Sequence, residues 1–286
     1  MAGRRQPATV RGRRLAAELS ALRARAGVTR EQVEEQRGVS IGTLFRIEKA
    51  QSRPQKRTML ALLDLYGVTD DEQRDGLLAL WRGAAEQNWA QTFVHHLPED
   101  YQTYISFEGE ASSLSNYESL FVPGLLQTRD YARAVIHGVV PVISEEDVDQ
   151  RVEVRLRRQN VLNRDDPTQL WAVVDEAAIR REVGGPEVLR AQLEHLIWAA
   201  EAPHITLQLV PYQAGAHPGM PGSFVVMDFP DPSDPALICA DSMAGDTFLE
   251  RESDVARYRT TFQRIVAQAL SPADTQKILR RAAKAA

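Results

Sequence analysis

Residues 29–48 read Thr29-Arg-Glu-Gln-Val-Glu-Glu-Gln-Arg-Gly38-Val39-Ser40-Ile-Gly-Thr-Leu-Phe-Arg-Ile-Glu48. Two short helices and the turn between them can be read from this stretch. Thr29 and Gln32 have the spacing of a capping box, which opens the first of the pair. Gly38 ends that helix, because glycine accepts the left-handed conformation a C-terminus requires. Ser40 caps the next, in which Leu44 and Ile47 stand three apart and face inward.

Working outward, Leu15, Leu19 and Leu22 form one apolar stripe of an earlier helix that Gly27 stops. After Pro54, the stretch Met59 to Tyr66 predicts a fourth helix, ended by Gly67. Thr69-Asp-Asp-Glu72 has the form of a second capping box, opening a fifth helix through Leu77, Leu80 and Trp81.

The chain has 286 residues, 43% hydrophobic and 26% charged, with one Cys. That length allows about two domains, and the composition excludes collagen-like, coiled-coil and disordered classes. One Cys forms neither an intrachain disulfide nor a thiolate metal site, which fits a reduced, cytoplasmic setting. No apolar run reaches membrane-spanning length, and the basic start lacks the apolar core of a signal peptide.

The overall charge of −5 averages two unlike parts. Residues 1–60 carry 14 bases against five acids, whereas residues 61–286 carry 20 against 34. A basic head of +9 on a body of −14 directs a polyanionic partner to the first part alone.

The five-helix basic module resembles the XRE-type helix-turn-helix of phage-repressor-like regulators over about residues 13–67. Gly38-Val39-Ser40, Arg46-Ile47-Glu48 and Pro54 carry the likeness. The resemblance implies that the third helix enters the major groove of double-stranded DNA N-terminus first. Ser40, Ile41, Thr43 and Arg46 would then lie at the base edges. Arg30, Arg53, Lys56 and Arg57 would hold phosphates. A flexible basic arm, residues 1–12, with Arg4, Arg5 and Arg11, and the neighbouring Arg13 and Arg14, would follow the backbone or enter a minor groove. Glu34 and Arg37 stand where this family has a small residue and an apolar one. A charge forced into that helix crossing costs several kcal/mol, roughly, unless the helices tilt or the side chains reach water. An adaptor that binds protein through a module no longer reading DNA is therefore the competing reading.

Beyond Leu97-Pro98 a second domain is expected over 97–272. Tyr104–Leu120 reads as helical, a helix starts at Thr128, and a longer one opens at Ser144-Glu-Glu-Asp147. Strands are expected at Leu170–Val174, Ile205–Val210, Phe224–Phe229 and Leu237–Ala240. Two helices flank Gly184-Gly185, and a last runs from about Asp254 to Leu270. The fold class is thus an all-α five-helix domain, 13–88, followed by an α+β domain with a small, mostly four-stranded sheet and a C-terminal helical tail, 273–286.

This second half resembles, over about residues 100–272, a domain of unknown function. It follows an XRE-type module in a large family of actinomycete (Streptomyces-like) regulators often described as antitoxin-like. The likeness rests on Glu108-x-Glu110-Ala111, Pro123-Gly-Leu-Leu-Gln-Thr128 with Tyr131-Ala132, and Arg158-Gln159. It continues through Asp175-Glu176-Ala177, Gly184-Gly185, Gln192-Leu193, Leu209-Val210-Pro211 and Gly215-x-His217, to Ala269-Leu270-Ser271. It implies a transcriptional regulator, with a small partner protein encoded nearby.

Arg151, Arg155 and Arg158 share one helical face, and Glu108 is placed either to pair with them or to line a cleft. The backbone N–H groups at Gln127-Thr128 suit an anion, although a plain N-cap by Thr128 is the simpler reading. Glu108, Gln127, Thr128, Tyr131, Arg155, Gln159, Glu176 and His217 are the candidate ligand-binding set.

Enzyme classes find no support. There is no nucleophile elbow, phosphate loop or dinucleotide fingerprint, no His-x-x-x-His pair, and Cys239 falls inside an apolar strand. The reading is a cytoplasmic homodimer that regulates transcription from a near-palindromic operator. Its second domain senses a small-molecule ligand, a partner protein or both, with no catalytic residue, metal, cofactor or membrane.

Overall fold

Thr9 accepts the Gly12 N–H on its hydroxyl at 2.9 Å and starts α1 (Val10–Arg25). In this computed structural model, residues 9–83, 97–140, 142–231, 234–241 and 245–286 are described. The chain divides into two units, Met1–Gln91 and Thr92–Ala286.

The first unit is all helix. After α1 come α2 (Arg30–Arg37), α3 (Ile41–Glu48), α4 (Lys56–Leu65) and α5 (Asp71–Gly83). Both halves of the Thr29/Gln32 capping box form, and Gly38 ends α2 at φ 67°. Leu19, Val33, Leu44, Met59, Leu62 and Leu63 are fully buried in one core. Each helix presents a single apolar stripe to it, the arrangement that short amphipathic helices need to be stable.

Three expectations change here. The expected arm loses its last residues to α1, so Arg11 is helical, while Arg4 and Arg5 lie outside the described residues. Helix α5 is capped by Asp70, whose carboxylate accepts the Gln73 N–H at 2.7 Å, one residue past the expected Thr69. Glu34 and Arg37 are both exposed, with Val33 filling the inward position of α2. Neither charge enters the helix crossing, so the desolvation cost does not arise.

The second unit opens with α6 (Glu99–Glu110) and β1 (Ser113–Glu118). A single 3-10 turn over Gly124–Leu126 leads to α7 (Arg129–Val139) and α8 (Glu145–Arg158). Then follow β2 (Gln169–Asp175), α9 (Glu176–Arg180), α10 (Pro186–Ala199), β3 (Ile205–Val210), β4 (Phe224–Asp228), β5 (Leu237–Ala240) and β6 (Thr247–Leu249). Helices α11 (Glu252–Val266) and α12 (Pro272–Ala285) close the chain.

The α+β class holds, but the sheet has six strands in the order β3-β2-β1-β4-β5-β6. β1 pairs parallel with β2, and β2 with β3; the pairs β1–β4, β4–β5 and β5–β6 are antiparallel. β1, expected as helix, lies in the interior of the sheet. Ser113-Leu-Ser-Asn-Tyr-Glu118 is poor in β-branched residues, so pairing on both sides, rather than local preference, makes it a strand.

One sheet face carries Tyr117, Val173, Phe224, Val226 and Ile238 against Phe262 and Ile265 of α11. The other receives α6, whose Phe107 ring meets Phe248 edge-on at 5.6 Å. The expected tail is α12, an integral part of the unit, with Thr275 and Leu279 buried. It protects the sheet edge: the Leu209 N–H donates to Thr275 Oγ1 at 3.0 Å, and the Leu209 carbonyl accepts from the Leu270 N–H at 2.8 Å. At Leu209 the edge strand thus has its outward backbone groups satisfied, which blunts that part of the edge as a template for another chain.

Candidate functional site

Helix α3 is held from below and open above. Ser40 Oγ accepts the Thr43 N–H at 3.3 Å, and Leu44 and Ile47 anchor the inner face. At its last turn Glu48 is buried and accepts hydrogen bonds from Arg23 of α1 and Arg30 of α2. Burial opposes the charge of Glu48, but the bonds from Arg23 and Arg30 outweigh it and hold its carboxyl below the usual range. One carboxylate thereby fixes three helices.

The outer face of α3 presents Ile41, Gly42, Phe45, Arg46 and then Lys49, all exposed. The apolar members are Ile41 at 39% and Phe45 at 43% exposure. Phe45 was not among the residues suggested by sequence. Its signal is its place four residues after Ile41, on the face opposite Leu44 and Ile47. The Arg30 guanidinium stands over its ring, 5.5 Å from the centroid.

The suggested DNA contacts divide into two groups. Ser40, Ile41 and Arg46 are exposed at α3, and Lys56 and Arg57 are exposed where α4 begins. Thr43 is half-buried; its hydroxyl oxygen accepts from Ser40 at 2.9 Å and from Arg46 Nη2 at 3.2 Å, so it positions its neighbours. Arg30 and Arg53 also bond within the module. Arg30 spends two donors on Glu48. Arg53 donates to the Trp81 carbonyl at 2.8 Å and stacks over the Trp81 ring at 4.0 Å, tying the loop before α4 to α5. Both cations are positioned by these contacts inside the module, and each keeps guanidinium N–H groups beyond them.

In the second unit, six of the eight candidate ligand residues are drawn into one polar core. Arg158 is buried and grips Glu108 with two parallel bonds of 2.7 and 2.8 Å. The rings of Tyr101 and Tyr104 lie 5.3 and 4.9 Å from its guanidinium carbon. Burial disfavours the charge on Arg158, but Glu108 more than restores it, so its pKa is raised. Gly124 has a structural reason here, since a Cβ would come within 3.3 Å of Arg158 Nη2.

Gln127 donates to the Val122 carbonyl at 2.7 Å and accepts from Arg155 Nη1 at 2.9 Å, while Gln159 donates to its carbonyl at 2.6 Å. The Tyr131 hydroxyl accepts the Val122 N–H at 3.3 Å. Thr128 caps α7, and its own N–H donates to Gln192 Oε1 at 2.7 Å. That N–H is therefore not open to an anion. Gln192, fully buried, also donates to the Leu126 carbonyl at 2.7 Å. It lay within a quoted motif, yet nothing in the sequence showed that α10 would meet this turn.

Glu176 and His217 bond elsewhere. Glu176 accepts from Arg180 and from the Tyr212 N–H at 2.9 Å. His217 Nε2 meets Asp175 Oδ2 at 3.2 Å, and its Nδ1 accepts the Gly219 N–H at 3.2 Å. With Nδ1 accepting, the ring hydrogen sits on Nε2 and is donated to Asp175. The loop histidine is thus a buried clasp. Polar groups this completely paired serve the fold before they serve a ligand.

Several groups in this unit keep unusual properties, among them Arg155, Glu118 and Cys239. Arg155 Nε is buried without a hydrogen-bond partner among the described residues. Glu118, at the end of β1, is pushed up to about 7 by burial; hydrogen bonds from Ser223 and Asn116 lower it, Asp241 raises it and Arg155 lowers it. Cys239 is buried in β5 and burial raises its thiol pKa, the opposite of what a nucleophile needs. Among the described residues, no group of three His, Cys, Asp or Glu is placed to hold a metal ion, and no helix is long and apolar enough to cross a membrane.

Residues 101–281 match a family described as a domain of unknown function, DUF5753, and residues 14–77 match a helix-turn-helix domain. No enzyme family is among these matches. No curated protein and no solved structure matches the chain.

Proposed function

Because the chain belongs to the DUF5753 family and carries a helix-turn-helix domain ahead of that domain, we propose that it is a DNA-binding transcriptional regulator whose second domain supplies the regulatory input. The observation that carries this reading is the outer face of α3. There Ile41, Gly42, Phe45 and Arg46 stand exposed on a helix fixed to α1 and α2 through Glu48.

Sequence is read by Arg46 and the apolar pair, while Lys56 and Arg57 at α4 position the duplex. A homodimer places two copies of α3 one helical turn apart on a near-palindromic operator. Glu34 and Arg37 are exposed rather than set in the helix crossing, which supports a module that keeps its DNA-reading geometry. In the cell the protein works in the cytoplasm.

The second domain answers to a small ligand, to a small partner protein encoded nearby, or to both. Arg155 Nε, buried with an unused donor, supports an acceptor group as the element recognised there. Whatever binds must favour one arrangement of the DNA-binding unit over another, since equal affinity for both shifts nothing. As in the sequence reading, the protein is a regulator and not an enzyme.

The test is selection of random duplex DNA on the full-length protein at physiological salt, where non-specific phosphate binding has faded. A near-palindrome should be enriched. Failure to enrich any motif, with and without the second domain, would defeat the reading.

A further inference from the structure

We propose that Ile41, Gly42 and Phe45 form an apolar reading edge that recognises thymine through its 5-methyl group. This rests on the reading of α3 as a DNA-reading helix and adds the base class it selects.

Ile41 and Phe45 are the large apolar side chains of α3 that remain exposed, while Leu44 and Ile47 fill the core. They stand four residues apart, so they share one face, and Gly42 lies beside that face. Arg46 and Lys49 are exposed beside them, and residues 1–60 carry a net charge of +9. A partner for this surface must be anionic in its frame and apolar at discrete points. The major groove of duplex DNA has that chemistry, with phosphates along its rim and thymine methyls on its floor.

Gly42 supplies an independent observation. It lies within α3 without a positive φ, and a Cβ built on it would meet nothing within 4 Å. No packing inside the unit requires a glycine there, although glycine weakens a helix relative to alanine. A close approach by another molecule would use one. The bare backbone at Gly42, beside Ile41 and Phe45, lets α3 sit deep enough for both side chains to reach methyl groups.

Polar reading on α3 is correspondingly thin. Thr43 already accepts hydrogen bonds from Ser40 and Arg46. Phe45 is preset, because Arg30 stands over its ring and is itself held by Glu48. An ordered apolar edge distinguishes a methyl from its absence better than a mobile one does.

The experiment uses the full-length protein and the duplex recovered by selection, remade with dU in place of each dT in turn. Removing the methyl at one or two positions of each half-site should weaken binding by about 3- to 10-fold. Phe45→Ala or Ile41→Ala should abolish the penalty at one such position in a protein that still unfolds in one cooperative transition, with only a small drop in melting temperature. Gly42→Ala should weaken binding about 10-fold although the protein melts no lower. If every dU duplex binds within about twofold of the parent, or the penalties persist in both alanine variants, methyl reading is overturned and DNA reading stands. If no motif is enriched at all, both fall together, and capture of a protein by Ile41 and Phe45 would then mark the face as a protein-docking surface.

Discussion

Glu48 of α3 accepts two hydrogen bonds from Arg30 of α2, at 2.9 Å from Nε and 2.6 Å from Nη2. Arg23 of α1 completes the cluster from the other side. Glu48→Gln should destabilise the first unit by about 2–4 kcal/mol, because two partly buried guanidinium groups lose their counter-charge. The sign with pH follows from the lowered carboxyl of Glu48. Its stabilising effect is complete above the ordinary carboxylate pKa and is lost as pH falls through the folded value. Thermal unfolding from pH 7 downward should show that loss in the unmodified chain and a flatter profile in Glu48→Gln.

Arg158 and Glu108 make the corresponding anchor in the second unit. Arg158→Ala should cost about 3–5 kcal/mol in denaturant unfolding, and Arg158→Lys should recover little, since an ammonium cannot form two parallel bonds. A lysine variant as stable as the parent would mean that the geometry of this pair is unimportant.

Glu118 predicts an opposite pH dependence. Its pKa is raised to about 7 by burial, so the folded state holds a proton that the unfolded chain releases earlier. Stability of the second unit therefore declines as pH rises from the ordinary carboxylate range through about 7. Glu118→Gln should remove that decline and be more stable at pH 8 by roughly 1–2 kcal/mol, the side chain being only partly buried. Urea titrations of both forms at pH 5 and pH 8 check it.

Lys56 and Arg57 are exposed at the start of α4, whereas Arg53 is tied to Trp81. Replacing either Lys56 or Arg57 by Ala should weaken binding to all duplexes alike and reduce the salt dependence by about one phosphate contact. Arg53→Ala should instead lower the melting temperature and leave the salt dependence nearly unchanged. Binding titrations at several salt concentrations separate the two behaviours.

The first unit was legible because local signals settle it. A capping box at Thr29, a left-handed Gly38 and a Ser40 cap each act within a few residues, and the apolar stripes then meet in the only compact way. Phe45 follows Leu44 directly in the chain, and its exposure in the folded unit is what separates it from the core. β1 escaped notice because its identity depends on β2 and β4, which lie far along the chain. The polar core shows the same limit. The pairing of Glu108 with the arginine face could be foreseen as one alternative. The closing of the Leu126–Thr128 turn by Arg155, Gln159 and Gln192 could not, since it brings together residues up to 66 positions apart. Residues that resemble a ligand cleft as a list are, once assembled, mostly one another's partners.

One binding ratio bears most directly on the reading of α3. The affinity of the full-length protein for its selected duplex, divided by that for a scrambled duplex, is measured at physiological salt with and without Arg46→Ala. A ratio of about a thousand or more is expected, falling by about tenfold or more in the variant. A ratio near one for the unmodified protein would show that α3 grips phosphates without reading bases.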